Sequence, residues 1–129
     1  MMPTPEQEQI IQEEKLAVLA TLRSDGSPQL SPINYAYQDG RFLISTTRDR
    51  AKYKNVRRNP QVSLCIVRAE GHPYVMISGR ARIEETEIEE GTAQIVQNMS
   101  DRPPPENFAE RLREQGRILI IVTPERFVP

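Results

Sequence analysis

Leu16-Ala17-Val18-Leu19-Ala20-Thr21-Leu22-Arg23, closed by Ser24-Asp25-Gly26-Ser27-Pro28, decides the fold class. Leu16, Val18, Ala20 and Leu22 fall on one face of an extended chain and Ala17, Leu19 and Thr21 on the other. That is the period of a strand, and both faces are apolar enough to predict that it is largely buried. Asp25-Gly26 supplies turn chemistry, since glycine takes positive φ at no steric cost, and Pro28 has no amide to donate. Gln29 to Gln38 reads as the returning strand, Asp39-Gly40 as a second tight turn, and Arg41 to Thr47 as a third strand. Three strands joined by two Asp-Gly turns predict an antiparallel meander. Pro32 cannot donate to a ladder, so the second strand is expected to bulge, bend or run along an edge there.

The pattern changes on either side of this stretch. Upstream, Thr4-Pro5-Glu6-Gln7 predicts a helix start, with Thr4 as cap, Pro5 at the first helical position and Gln7 closing a capping box. The helix runs to near Glu14 and turns Ile10 and Ile11 inward. Downstream, Arg48 to Asn59 returns to helical spacing, with Ala51, Tyr53 and Val56 inward, and Pro60 ends it. Gln61–Arg68 and Tyr74–Glu84 are a fourth and fifth strand. Thr86 to about Met99 is a helix with a Thr86/Glu89 capping box, and Asp101 to Pro105 a stiff spacer. Glu106–Gln115 is a short helix closed by Gly116, and Arg117–Thr123 a sixth, apolar strand stopped by Pro124. The expectation is one domain over 1–129, mainly β with helices, its six strands forming a small barrel.

Composition narrows the function classes. Of 129 residues, 37% are apolar and 27% charged, the balance of an ordinary globular chain. Cys65 is the only cysteine and His72 the only histidine, which excludes an intrachain disulfide and a zinc site built from several such ligands. No Ser-His-Asp or Cys-His arrangement stands out, so no catalytic residue and no metal ligand is assigned. The polar, acidic start lacks the basic and apolar regions of a signal peptide, and no run is long enough to span a bilayer. A cytoplasmic protein with no membrane contact is expected. Cys65 alternates with Leu64 and Ile66 and is expected to be a buried small hydrophobe. His72 is expected in a surface loop, and Tyr35 and Tyr37 are expected to pack rather than touch a ligand.

Charge is concentrated in one place. Arg48, Arg50, Lys52, Lys54, Arg57 and Arg58 put six of the 17 basic residues into 11 positions, in a chain of net charge −1. A solvated helix face is one explanation. A nucleic-acid-binding stripe is another, disfavoured because aromatic platforms for bases are few. The third is an anion site: a helix starting just after Ser45-Thr46-Thr47 offers free amides, two threonine hydroxyls, and the side chains of Arg50 and Lys52. The strand-to-helix junction favours the third.

These stretches, in order, resemble a known family. Leu16 to Arg23 with Asp25-Gly26-Ser27-Pro28, Ser31-Pro32-Ile33, Phe42 to Thr47, Arg50-Ala51-Lys52 and Asn55 to Pro60 carry the likeness. Val62-Ser63-Leu64, Ile77 to Ala81 and Thr123 to Arg126 continue it. The chain is similar to the pyridoxamine 5′-phosphate oxidase-like, FMN-binding split-barrel proteins, in particular the flavin/deazaflavin oxidoreductases that use coenzyme F420. The resemblance implies a six-stranded antiparallel split β-barrel and a homodimer with two cofactor sites at its interface. It implies hydride transfer from F420 to a small unsaturated or conjugated substrate. Lys52 matches the family's phosphate-binding lysine, with Arg50 and Ala51 beside it. Ser45, Thr46 and Thr47 would line the same pocket, while Ser31, Pro32, Ile33 and Asn34 would lie along the ring system. The partner subunit is expected to contribute from around Tyr74 to Met76. The chain is short and lacks the C-terminal segment that grips pyridoxal phosphate in the oxidase proper, which argues against vitamin-B6 oxidation. An FMN-dependent oxidoreductase or FMN-binding protein, and a non-catalytic cofactor carrier, stay open.

Overall fold

Both Asp-Gly turns form, but the strand between them divides. The structure is a computed structural model describing residues 2–100 and 102–128. Helix α1 (Pro5–Glu13) leads into β1 (Leu16–Leu22), β2 (Pro28–Asn34), β3 (Ala36–Gln38) and β4 (Arg41–Thr47). Then come α2 (Ala51–Arg58), β5 (Gln61–Val67), β6 (Tyr74–Glu84), α3 (Glu89–Ser100), α4 (Phe108–Glu114) and β7 (Arg117–Val128). One antiparallel sheet takes the order β2-β1-β5-β6-β7-β4-β3. The strands are therefore seven rather than six, and the three-stranded meander is corrected. β2 pairs only with β1 and β3 only with β4, at opposite edges of the sheet.

That order dictates the shape. Asn34 and Ala36 are separated only by Tyr35, a span of at most about 7 Å. Six inter-strand steps in a flat sheet would hold the edges about 29 Å apart. The sheet must curl until its edges meet, which is the split barrel. Tyr35 makes the crossing: its amide donates to the Lys15 carbonyl (3.3 Å) and its buried hydroxyl to the Ile11 carbonyl (2.8 Å). Pro32 sits on the edge strand β2, opposite Val18, where its missing donor costs nothing.

Burial explains the two kinds of strand. The barrel interior collects Leu19, Phe42, Ile44, Leu64, Ile66, Ile77, Ile118, Ile120 and Val122, plugged by Ile10 and Ile11 of α1. The other face of β4 and β7 is covered by α3 and α4, where Leu43, Leu119 and Ile121 pack with Ile88, Ile95, Phe108 and Leu112. β7 is thus buried on both faces at its centre, hence the unbroken run Ile118 to Val122. β1, β5 and β6 are covered on one face only. Leu16 and Val18 on β1 are exposed, correcting the expectation of a largely buried strand, and Cys65 is only half-buried on the same outer face.

Two further boundaries differ. The Thr86 amide and hydroxyl both donate to the Glu84 carboxylate (3.3 Å each), so Thr86 caps nothing and α3 starts at Glu89. Pro124 does not stop β7: the register slips between Ser78 and Gly79, and the proline pairs at that irregularity. A Cβ on Gly79 would run into the Thr123 carbonyl, so glycine is what lets the two backbones approach there. The expected spacer begins at Asp101, outside the described residues. No helix among the described residues is long and apolar enough to cross a membrane.

Candidate functional site

The junction of β4 and α2 is built by a turn and locked by a buried asparagine. The Arg50 amide donates to the Thr47 carbonyl (3.1 Å), and α2 begins at Ala51 rather than Arg48. Arg50 occupies the cap position and its side chain makes no cap hydrogen bond to the first-turn amides. Tyr53 and Val56 pack into the barrel core, but Ala51 is exposed, contrary to its expected inward position. Asn55 is buried and donates to Thr21 (3.0 Å) and Gln29 (3.1 Å), while its oxygen accepts from Arg58 (2.8 Å). These bonds fix the roll of α2 about its axis.

The six basic residues then go different ways. Arg48 pairs with Glu85 (3.1 Å), which also accepts from the Tyr53 hydroxyl (3.2 Å). Arg57 lies over the Tyr53 ring, 5.6 Å from its centroid, and Arg58 donates to the Leu22 carbonyl (3.1 Å). Lys54 is exposed. Arg50 and Lys52 alone among the six border a cavity of about 480 Å³.

This cavity has a polar end and an apolar wall. Asn34, Ser45, Thr46, Thr47, Arg50, Lys52 and Arg117 form the polar end, with Pro32 and Ile33 along the β2 edge. Ile95, Val96 and Met99 of α3, Pro105, and Phe108 and Leu112 of α4 form a largely apolar wall, which Thr92 of α3, Arg111 of α4 and Gln115 also border. Burial, followed by the neighbouring charges of Arg50 and Arg117, holds the Lys52 ammonium below the usual lysine pKa. Arg117 donates to Gln115 (3.1 Å) and Ser45 (3.4 Å), both neutral. None of the ion pairs among the described residues involves Arg50, Lys52 or Arg117. The Thr47 hydroxyl donates to Asp49 rather than into the cavity, which lowers the Asp49 carboxyl.

Of the ten residues expected at the site, eight border this cavity. Ser31, one position further along the edge strand, does not, and neither does Ala51. Tyr35 and Tyr37 stack near Phe42, with ring centroids 5.6 and 4.7 Å away, so both tyrosines pack. His72 is exposed. Tyr74 and Met76 are exposed on the outer face and do not border the cavity of their own chain.

Comparison with known proteins gives this architecture its family. Residues 3–127 match the pyridoxamine 5′-phosphate oxidase family. The chain belongs to that family. Solved structures share the fold over nearly the whole chain. An F420 reductase superposes with a TM-score of 0.78 at 23% identity, covering 98% of each chain. A conserved hypothetical protein from Mycobacterium tuberculosis gives 0.84 at 22%, covering 98% of this chain and 83% of that one. A FAD-binding protein from Mesorhizobium loti gives 0.73 at 18%, covering 98% and 92%.

In this member of the pyridoxamine 5′-phosphate oxidase family, sequence reasoning missed the far wall and Arg117. The wall residues look like the apolar stripe of ordinary amphipathic helices, since Ile95, Phe108 and Leu112 belong to the core under the sheet and border the cavity as well. Arg117 becomes a neighbour of Thr47 only through the pairing of β4 with β7. The run Arg111, Arg113, Arg117 beside Gly116 was the available signal. Chemically, the polar end offers two guanidinium forks and an ammonium to an anion, and the wall offers apolar side chains to a flat apolar group.

Proposed function

We propose that this family member is an oxidoreductase that holds a flavin-type cofactor in the cavity, with coenzyme F420 the leading reading. The single observation that carries it is the cluster of Arg50, Lys52 and Arg117, in no ion pair among the described residues, in a cavity whose α3 and α4 side is largely apolar and adds Arg111. Three clustered cations repel one another, so the arrangement favours an anion between them. The donor set suits a phosphate: Arg supplies planar forks, Lys a compact charge, and the α2 amino end free amides. Ile33, Ile95, Val96 and Phe108 suit a flat ring by excluding water. When bound, the cofactor supplies hydride transfer to a small unsaturated or conjugated substrate. The chain itself binds, orients and shields.

Full-length likeness to an F420 reductase supports F420. FMN is the second reading, since its phosphate monoester carries about −1.5 to −2 at neutral pH and suits the same cations. Titrating the purified protein with each compound, following its own chromophore, separates them. Micromolar F420 binding with substrate-dependent oxidation of the reduced form is expected. FMN binding without a response to F420 overturns the leading reading, and no response to either overturns both. Binding without turnover in a single-turnover assay would make the protein a carrier.

We also propose the homodimer. Leu16, Val18, Val67, Tyr74 and Met76 are exposed on the outer face, and Val18, Cys65 and Met76 are register partners in one row. An apolar patch of this kind on a small protein marks an interaction surface. Light scattering should give a dimer mass for the native chain and a monomer for Met76→Glu. A native monomer at micromolar concentration rejects it.

A further inference from the structure

Arg117 is the cation of the cluster that the basic helix does not carry. It enters from the other side of the cavity, on the first residue of β7, and its setting differs from that of a surface arginine. Its guanidinium is held at two points by neutral acceptors, Gln115 (3.1 Å) and Ser45 (3.4 Å), so it is positioned without being neutralised. A carboxylate in either place would have cancelled the charge.

The backbone around it is equally constrained. Gln115 caps the end of α4, its amide bonded to the Arg111 carbonyl (3.0 Å), and Gly116 turns the chain with φ +69 directly into β7. One residue therefore separates the end of the helix from the cation. The Gly116 carbonyl accepts from the Arg48 amide (3.2 Å), and Thr47 is the register partner of Arg117. The turn that carries Arg50 and the turn that carries Arg117 are thus tied together. α4 in turn carries Phe108 and Leu112 of the apolar wall, with Arg111 between them also bordering the cavity.

We propose that Arg117 is an anion-binding residue of this site and that, through Gln115, an anion held there firms α4 against the cavity. The inference deepens the reading of the cavity as an anion site. It assigns α4 a consequence of binding: the group that docks at the polar end consolidates the wall against which the rest of the ligand lies. Arg117 acts on the anion directly, whereas Gln115 is a positioning residue that acts through Arg117.

Inorganic phosphate tests this without any cofactor, by hydrogen exchange of the full chain at constant ionic strength with chloride as control. Phosphate should slow exchange across 108–116 in the native protein. Arg117→Gln should weaken phosphate binding about tenfold, the loss of one charge-assisted contact. Gln115→Ala should weaken phosphate binding less than Arg117→Gln does while losing the α4 response. Should that variant fold poorly, Gln115→Glu serves: a carboxylate on Arg117 should protect α4 without phosphate and lower phosphate affinity. The proposal is overturned by native protein that does not bind phosphate. It is equally overturned by Arg117→Gln binding as native, or by an α4 response that survives Gln115→Ala. Phosphate binding with the full α4 response but no affinity for F420 or FMN would instead leave this inference standing and remove the cofactor reading.

Discussion

The two ends of the basic segment carry the same kinds of residue and do different things. At its far end Arg57 lies on an aromatic ring, and Arg58 is tied to Asn55 and a carbonyl. Arg48, at the near end, is paired with Glu85. Arg50 and Lys52 face a cavity in company with Arg117 and have no such partner among the described residues. Charge density along a sequence therefore says little about a site. The informative quantity is the charge the fold leaves uncompensated; Lys52, its pKa lowered first by burial and then by Arg50 and Arg117, sits among such charges.

The widest gap should open between two double variants that remove equal charge. Arg50→Ala with Lys52→Ala deletes two charge-assisted contacts, each worth roughly 1.5–3 kcal/mol, so cofactor affinity should fall about a hundredfold or more. Arg57→Ala with Arg58→Ala should leave affinity within about threefold. Equal losses in the two, measured by the same titration, would mean that the chain binds through its general field and not through a site. A smaller effect of opposite kind belongs to Asn55→Ala. It leaves the buried Thr21 hydroxyl and the Arg58 guanidinium short of a partner, and urea denaturation should register a loss of about 1–3 kcal/mol. Affinity of the folded molecules should change far less than stability.

Lys52 gives a third contrast, in pH. Its folded pKa is depressed, so over the window between that value and an ordinary lysine the unfolded chain binds more protons. Ligand-free stability attributable to Lys52 therefore rises with pH across the window. Anion affinity runs the other way, falling as the ammonium deprotonates, by up to about tenfold if one contact is lost. Comparing native protein with Lys52→Met isolates both slopes. Slopes of the same sign would contradict the placement of Lys52 at an anion site.

Much of this was legible in order along the chain and little of it across the sheet. The Thr4/Gln7 capping box forms as its residues predict, and the positive φ of Asp39 and Gly40 is what a two-residue hairpin turn requires. Pro32 did mark an edge. The division of the second strand at Tyr35 was not legible, because nothing in a polar-apolar pattern tells a strand which neighbour each half will take. The same blindness hid Arg117, whose place depends on pairing between residues 70 positions apart. Local chemistry selected Arg50 and Lys52, and long-range register chose their companions.

Arg48→Ala should have the smallest effect and probes the comparison most finely. Arg48 lies two residues from Arg50, yet its partner Glu85 is about half exposed, as is Arg48 itself. A pair in that setting contributes about 0.2–1 kcal/mol to stability and is screened by salt. Glu85 also accepts from Tyr53, so a cycle with Glu85→Gln and Tyr53→Phe should show coupling confined to stability, with cofactor affinity unmoved. An affinity loss for Arg48→Ala as large as that for Arg50→Ala would erase the boundary between compensated and uncompensated charge. Two residues of sequence separation are enough to test it, because the turn at Thr47 to Arg50 sends the two side chains to different surroundings.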